Sequence, residues 1–138
     1  MRAVKIGFLC IMSSKHTSPS HVLGCVIQHL RKSKDLSQVL IASKLGMSSQ
    51  SYYSKVEKEG PWPLERVSNI AIILEIDISW LVRMATKMAA KLIEAGWQVN
   101  GDGKDELSEE IFSSIFVNLE KENGDHGANS PGNPGTNL

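Results

Sequence analysis

The chain has 138 residues, of which 41% are hydrophobic and 22% are charged, and its formal net charge at pH 7 is zero. This length supports one modest core and excludes two large domains, and the longest apolar stretch, residues 3–12, is well short of the ~20 residues that cross a bilayer. The zero net charge conceals an asymmetry, because residues 1–60 carry nine Lys and Arg against three acids and residues 101–138 carry two against eight; this favours a polyanionic partner for the first half.

Residues 1–17 are expected to form an N-terminal extension, and the first helix is predicted to begin directly after it. Ser18 can cap a helix, and Pro19 suits the first helical turn. From there to about Ser33, apolar residues recur at helical spacing. They are Val22, Leu23, Val26, Ile27 and Leu30.

A short second helix is predicted to follow, ending in a glycine turn. Ser37 is a good cap for a helix that buries Leu40, Ile41 and Leu45. Gly46 supplies the left-handed residue that lets this helix stop and turn.

The third helix is predicted from about Ser49 to Lys58, capped by Ser48. Tyr53 and Val56 are its inward pair, because residues three apart lie on one side of a helix. Beyond it, Pro61 and Pro63 flank a tryptophan and end helical structure.

Two further helices complete the predicted bundle. The fourth carries an apolar face from Leu64 to Leu74. The fifth is predicted to begin at Ser79, acting as the cap, and to continue until Gly96, as one long helix or two helices run together.

The C-terminal region is predicted to hold one more helix and a disordered tail. Asn100 to Gly103 is a flexible joint, and an amphipathic helix follows from about Asp105 to Lys121. The tail, residues 122–138, is rich in Gly, Asn and Pro and has nothing to bury. No β pattern is evident, so the predicted fold is an all-α bundle of five helices over residues 18–99, an extra amphipathic helix within residues 100–121, and the tail.

Two short helices joined through Gly46 are typical of a helix-turn-helix. The segment from Ser37 to Ser48 resembles the second helix and turn of Cro/CI-type (XRE) DNA-binding domains. The segment from Tyr53 to Glu57 resembles the end of that family's recognition helix, and residues 63–74 resemble its next helix. The resemblance covers about residues 21–85 and implies a sequence-specific regulator that binds double-stranded DNA.

One departure from the family concerns the recognition helix. From Gly46 to Glu57 this chain has one residue more than the usual spacing, and Gly60 also follows Glu57 one residue late. Counting backward from Val56 places Gln50, Ser51 and Lys55 toward the groove, whereas counting forward from Gly46 favours Ser49 and Gln50. Gln50 is favoured by both counts and is therefore the predicted base-contacting residue.

The full set of predicted DNA contacts is Gln38, Ser48, Ser49, Gln50, Ser51, Ser54 and Lys55. Gln38 matches a family position that usually meets a backbone phosphate. For the serines and Gln50 the alternative is an ordinary solvent-facing first turn. Lys44, Lys55, Arg31 and Lys32 are either phosphate-attracting charge or solvated surface, and Arg31 is also a candidate ion-pair partner for Glu57.

A metal site or an enzyme is not expected. His21, Cys25 and His29 share one face of the first helix, but the two histidines lie about 12 Å apart along its axis, too far for one ion. The sequence has no Ser/His/Asp order, P-loop or dinucleotide-binding glycine pattern, so no catalytic residue and no cofactor is predicted.

The resulting hypothesis is a cytoplasmic transcription regulator of bacterial, phage or mobile-element origin, most simply a repressor that binds an inverted repeat as a homodimer. The predicted dimer surfaces are on the fifth helix and the C-terminal helix: Met88, Leu92, Ile111, Phe112, Ile115 and Phe116. Packing within one chain is the alternative for the fifth helix, and a weakly docked tail is the alternative for the C-terminal helix. A rival function is an antitoxin-like or adaptor protein whose residues 105–121 bind a protein partner.

Overall fold

In the computed structural model of the protein, residues 15–100 and 107–123 are described, and they fold as a helical bundle with one pair of very short strands. The elements in chain order are β1 (His16–Thr17), α1 (Pro19–Ser33), α2 (Gln38–Lys44), α3 (Gln50–Glu59), α4 (Leu64–Leu74), α5 (Ile78–Glu94), β2 (Gln98–Val99) and α6 (Glu109–Asn123). The predicted all-α bundle with an extra C-terminal helix is confirmed.

The helix caps show which polar residues fix the helix starts. Ser18 and Ser37 cap α1 and α2 as predicted, each accepting from the backbone N–H three residues later at 3.1 Å. The predicted cap of α3 was wrong by one residue: Ser49, which has the extended backbone, accepts from the N–H of Tyr52, and α3 begins at Gln50.

The cap of α5 also differs from the prediction. Asp77 precedes the helix, and its Oδ1 accepts both the backbone N–H of Ser79 at 2.8 Å and the Ser79 hydroxyl at 2.7 Å. Ser79 is therefore a partner of the cap, because the carboxylate two residues earlier accepts both of its donors. α5 is one continuous helix that ends at Glu94.

All six described helices contribute to the core, in which α1 packs against both α3 and α5 and α6 packs against α5. Its largest fully buried side chains are Trp80, Tyr53 and Phe116. Two residues predicted to be apolar-face contacts, Leu40 and Leu64, are exposed instead. Both are near the start of a helix, and α2 is so short that only its Ile41 and Ala42 are buried.

The last two residues of the predicted N-terminal extension, His16 and Thr17, belong to the folded domain. β1 pairs in parallel with β2, so that His16 lies opposite Gln98, and the backbone N–H of Asn100 donates to the carbonyl of Thr17 at 2.9 Å. Thr17 is completely buried. The prediction of no β structure missed this pair because two residues per strand are too few to show an alternating pattern.

The C-terminal helix is part of the core, which corrects most of the predicted dimer surface. Met88 and Leu92 of α5 are 0% exposed, and Phe112 and Phe116 of α6 are buried beside them. These four side chains fill the interior of a single chain and leave no surface for a partner. Ile111 is exposed and Ile115 is half-buried, so their role in dimerisation stays a prediction.

Polar contacts hold α6 against α1 around this apolar centre. Lys32 Nζ lies 2.6 Å from the Glu109 carboxylate, and His29 packs edge-on against Phe116 with ring centres 5.0 Å apart.

The helix begins at Glu109, later than the predicted start near Asp105, which lies outside the described residues. Residues 101–103 of the predicted joint and residues 124–138 of the predicted tail also lie outside the described residues. The first two residues of the predicted tail, 122 and 123, belong to α6.

Candidate nucleic-acid interface

The turn between α2 and α3 is held by backbone hydrogen bonds. After α2 the N–H of Met47 donates to the carbonyl of Ala42, and the N–H of Gly46 donates to that of Ser43. This is the pattern of a helix end with a left-handed residue, and Gly46 has a φ of 74°. The sequence prediction of a helix stop at Gly46 is confirmed.

The predicted DNA contacts lie along one accessible side of this unit. Ser48, Ser49, Gln50, Ser51 and Lys55 are exposed, and Gln38 and Ser54 are half-buried. The opposite side of α3, formed by Tyr53, Val56 and Glu57, is buried. α3 therefore packs against the domain through one side and exposes polar side chains on the other, as a recognition helix must. Which of these side chains contact DNA stays a prediction.

A buried carboxylate anchors α3 to α1. Glu57 is 4% exposed, and its two oxygens accept from Arg31 Nε at 2.9 Å and Arg31 Nη2 at 3.1 Å. The expected pairing of Glu57 with Arg31 is confirmed. A two-pronged contact of this kind fixes direction as well as distance, so α3 is held at a set angle to α1.

Tyr53 and the loop after α1 extend the anchor. The Tyr53 hydroxyl donates to Glu57 Oε2 at 2.7 Å, and Arg31 Nη1 donates to the carbonyl of Leu36 at 2.9 Å. The pKa of the Tyr53 phenol is raised above its ordinary value, mainly by burial and secondly by the negative charge of Glu57. The hydroxyl therefore stays protonated and remains a donor.

Two glutamines connect this buried anchor to the exposed side of α3. Gln38 Nε2 donates to Glu57 Oε1 at 2.9 Å, and Gln50 Nε2 donates to Gln38 Oε1 at 3.0 Å. Because an ionised carboxylate only accepts, the amide of Gln38 must turn its nitrogen to Glu57 and its oxygen to Gln50. We call the chain Glu57–Gln38–Gln50 the glutamine relay. It sets the amide orientation of Gln50.

Gly24 was missed by the sequence analysis. A Cβ built at this position would lie 1.8 Å from the backbone oxygen of Glu57, so α1 and α3 cross in direct contact there. The available signal was a glycine in the interior of a helix. Glycine lowers helix stability there, so its presence indicates a position where close packing leaves no room for a side chain.

The basic residues divide into two groups. Arg31 is buried in its ion pair with Glu57, whereas Lys32 is half exposed and pairs with Glu109 at the surface. Lys44 and Lys55 are exposed near the turn and on α3. Arg66 was not predicted; it borders a groove of about 500 Å³ beside the turn, where its Nη1 donates to the carbonyl of Pro61 at 2.7 Å.

The histidines and the cysteine of α1 do not form a three-ligand site. Cys25 Sγ lies 3.7 Å from His21 Nε2, while His29 packs on the two phenylalanines of α6. Across residues 15–100 and 107–123, no three His, Cys, Asp or Glu side chains are grouped so that they could hold a metal ion.

Comparison with known proteins agrees with the geometry. Residues 27–81, from the middle of α1 to the start of α5, match the family model described as Helix-turn-helix. The match contains α2, the turn, α3 and the Arg31–Glu57 pair, and it identifies these residues as a DNA-binding helix-turn-helix domain.

The domain is of the XRE type, as the segment from Ser37 to Ser48 indicated, and the protein carries the DNA-binding domain of a transcription regulator. No curated protein and no solved structure matches the chain. Among the described helices, none is long and apolar enough to cross a membrane.

Proposed function

We propose that the protein binds a specific operator in double-stranded DNA through α3 and regulates transcription, most simply by occluding a promoter. The observation that carries this proposal is the glutamine relay. It is an ordered polar chain that runs from a buried ion pair to an exposed amide on the recognition helix. A side chain that only faced solvent would need no such support.

Gln50 is suited to adenine. One N–H of its amide is taken by Gln38, which leaves the second N–H and Oε1 for a base edge. The second N–H can donate to adenine N7 while Oε1 accepts from adenine N6, the pairing that distinguishes adenine in the major groove. Each such bidentate pair contributes about 1–3 kcal/mol of discrimination.

Gln38 has a double role in this proposal. It orients Gln50 from α2, and its second amide N–H is available for the backbone phosphate that its position predicts. Ser48, Ser49, Ser51 and Ser54 add short-range contacts to phosphates or base edges, and Lys55 attracts the phosphates.

The operator is proposed to be an imperfect inverted repeat bound by a homodimer. A two-fold axis would place two copies of α3 about one helical turn, roughly 34 Å, apart on one side of the duplex. Binding of this kind would place the protein on DNA in the cytoplasm of a bacterium or of the host of a mobile element.

Burial speaks against the rival hypothesis, a protein partner held by residues 105–121, over the described part of that segment, residues 107–121. The side chains that would fold onto a partner, Phe112, Phe116 and Leu119, are buried in the protein's own core.

Selection of bound sequences from a random duplex pool tests the proposal. The full-length protein is expected to enrich an inverted repeat with adenine at one fixed position in each half. Gln50→Ala is expected to lose the preference at that position only, whereas Lys55→Ala should keep the motif and bind every sequence more weakly.

Two outcomes of this selection would contradict the proposal. If the wild-type protein enriches no motif, or if Gln50→Ala enriches the same motif with the same adenine, base recognition by Gln50 is wrong.

A further inference from the structure

A nucleophile, a base and a group that orients the base lie together between α1 and the end of α3. Cys25 Sγ lies 3.7 Å from His21 Nε2, within hydrogen-bond reach for a sulfur atom. His21 Nδ1 in turn lies 2.6 Å from the backbone carbonyl of Lys58, in the last turn of α3. The proposed DNA recognition uses none of these three groups. A nucleophile beside a base that a third group orients is the arrangement by which proteins activate a thiol.

The Lys58 carbonyl decides which ring nitrogen of His21 carries the proton. A carbonyl oxygen only accepts, so Nδ1 must donate to it, and the neutral ring then keeps its lone pair on Nε2. That lone pair faces the Cys25 thiol, whose S–H can donate to it. His21 is therefore held in the tautomer in which it can act as a base toward Cys25.

The end of α3 favours transfer of the thiol proton to His21. The last carbonyls of a helix carry the negative end of its dipole, and this end stabilises a cation. Once Nε2 has taken the proton, the imidazolium of His21 donates to the Lys58 carbonyl through a charge-assisted bond. Cys25 is then a thiolate, which is the nucleophilic form of cysteine.

A small cleft between α1 and α6 gives access to this thiol. The cleft has a volume of about 60 Å³, and its lining includes Cys25, Gln28 and Lys32 of α1 and Phe112 of α6. Cys25 itself is half-buried. One water molecule needs about 10–15 Å³ of such space, so the cleft holds a molecule of a few heavy atoms. The polar side chains in its lining suit a small reagent that forms hydrogen bonds.

We propose that Cys25 is a peroxide-reactive thiol and that His21 is its base. The substrate class is a small hydroperoxide, of which hydrogen peroxide is the simplest. The thiolate sulfur attacks one peroxide oxygen, and the S–O bond forms as the O–O bond breaks. The departing hydroxide takes the proton from His21 Nε2 and leaves as water. Sulfur is oxidised by two electrons to a sulfenic acid, and the peroxide is reduced by two.

Labelling with dimedone, which reacts with sulfenic acids, tests this reaction in the full-length protein without DNA. The Cys10→Ser background prevents the second cysteine from capturing the product in a disulfide. With dimedone in excess and hydrogen peroxide at pH 7, Cys25 is expected to be labelled about tenfold faster in the folded chain than in the same chain unfolded in urea. Only the folded chain pairs the thiol with His21. An equal or slower rate in the folded chain overturns the proposal, because partial burial alone would slow the reaction.

His21→Asn tests the base. An asparagine amide can replace Nδ1 as the donor to Lys58 but cannot take up the thiol proton. An ordinary thiol, with a pKa of about 8.5, is ~3% ionised at pH 7, so full ionisation raises the rate by at most about thirtyfold. Loss of the base is expected to slow labelling about tenfold. His16→Asn, the same replacement on β1, is the control and should change the rate less than twofold. A wild-type rate in His21→Asn, or an equal loss in His16→Asn, overturns the role of His21.

Alkaline pH separates a chemical role of His21 from a structural one. At pH 9.5 an ordinary thiol is about 90% ionised without any base, so the wild type and His21→Asn should then react within about twofold of each other. The titratable groups that border the cleft, His29, Lys32 and Glu109, are the same in both proteins. A tenfold gap that persists at pH 9.5 would show that His21 only shapes the site and would overturn its assignment as the base.

Discussion

Substitution of Gly24 by alanine should disturb both stability and DNA recognition. The added Cβ would lie 1.8 Å from the backbone oxygen of Glu57, and real Cβ atoms essentially never approach closer than 3.0 Å. α1 and α3 must therefore separate by at least the difference, 1.2 Å. That oxygen belongs to the main chain, so no side-chain rotation can relieve the contact.

The expected loss is about 1–3 kcal/mol of unfolding free energy, the usual cost of overpacking a fitted interior. Because no side-chain rotation relieves this contact, the cost should lie near the upper end of that range, about 3 kcal/mol, and about 2 kcal/mol should remain after the gain in helix propensity from Gly to Ala, about 1 kcal/mol. Because Glu57 holds both Arg31 and Gln38, the same displacement should misalign Gln50 and weaken operator binding.

Urea unfolding followed by circular dichroism gives the stability, as a lower midpoint with an unchanged slope. Gly46→Ala is the control. A Cβ added at Gly46 would have no atom within 4 Å, so the cost of this substitution comes from the positive φ alone. A Gly24→Ala variant as stable as the wild type, with unchanged operator affinity, would refute the close crossing of α1 and α3.

Three further predictions concern the core, the anchor and a cap. Phe116→Ala should lower the unfolding free energy by about 3–5 kcal/mol in urea titrations, since the ring is fully buried; a loss below ~1 kcal/mol would mean that α6 is not part of the core. Tyr53→Phe should cost about 1–2 kcal/mol, because it removes a buried donor to Glu57, yet should keep the selected DNA motif, since the Arg31 contact survives; a changed motif would show that the ion pair alone does not hold the relay. Asp77→Ala should cost about 1 kcal/mol at pH 7. The hydrogen bonds from Ser79 lower the pKa of Asp77 below 3.8, so this stability is present above that pH and is lost as the pH falls through the folded-state value. The wild type and Asp77→Ala should therefore converge in stability in acid, and a difference that stays constant down to pH 2 would contradict the cap.

Much of the fold could be predicted because its signals are local. A polar cap followed by apolar residues at helical spacing predicted α1 and α2, and Gly46 predicted the turn. The position of α6 could not be predicted, since an amphipathic helix shows that it needs an apolar partner but not whether the partner is its own chain. For the same reason Phe112 and Phe116 were assigned to a dimer surface and are instead buried in one chain.

The candidate site was predictable in its residues and less so in its connections. The resemblance from Ser37 to Ser48 singled out Gln38, and counting from Gly46 and from Val56 singled out Gln50. The two glutamines lie together, and the charged residue on the inner side of α3, Glu57, needed a cation. Nothing in the spacing indicated that Gln38 bonds to both Glu57 and Gln50, because this contact depends on the angle between α2 and α3. A glycine in the interior of α1 was visible in the sequence, but its contact was overlooked because the partner is a main-chain oxygen, which no residue type identifies.

The central claim is that Gln50, oriented by the relay, reads a base. The most direct test measures the affinity of the wild type, Gln50→Ala and Lys55→Ala for the selected operator and for a random duplex of equal length at one salt concentration. Gln50→Ala is predicted to lose about 1–3 kcal/mol per half-site on the operator and almost nothing on random DNA, while Lys55→Ala loses the same on both. Equal losses on the two duplexes for Gln50→Ala would contradict the account.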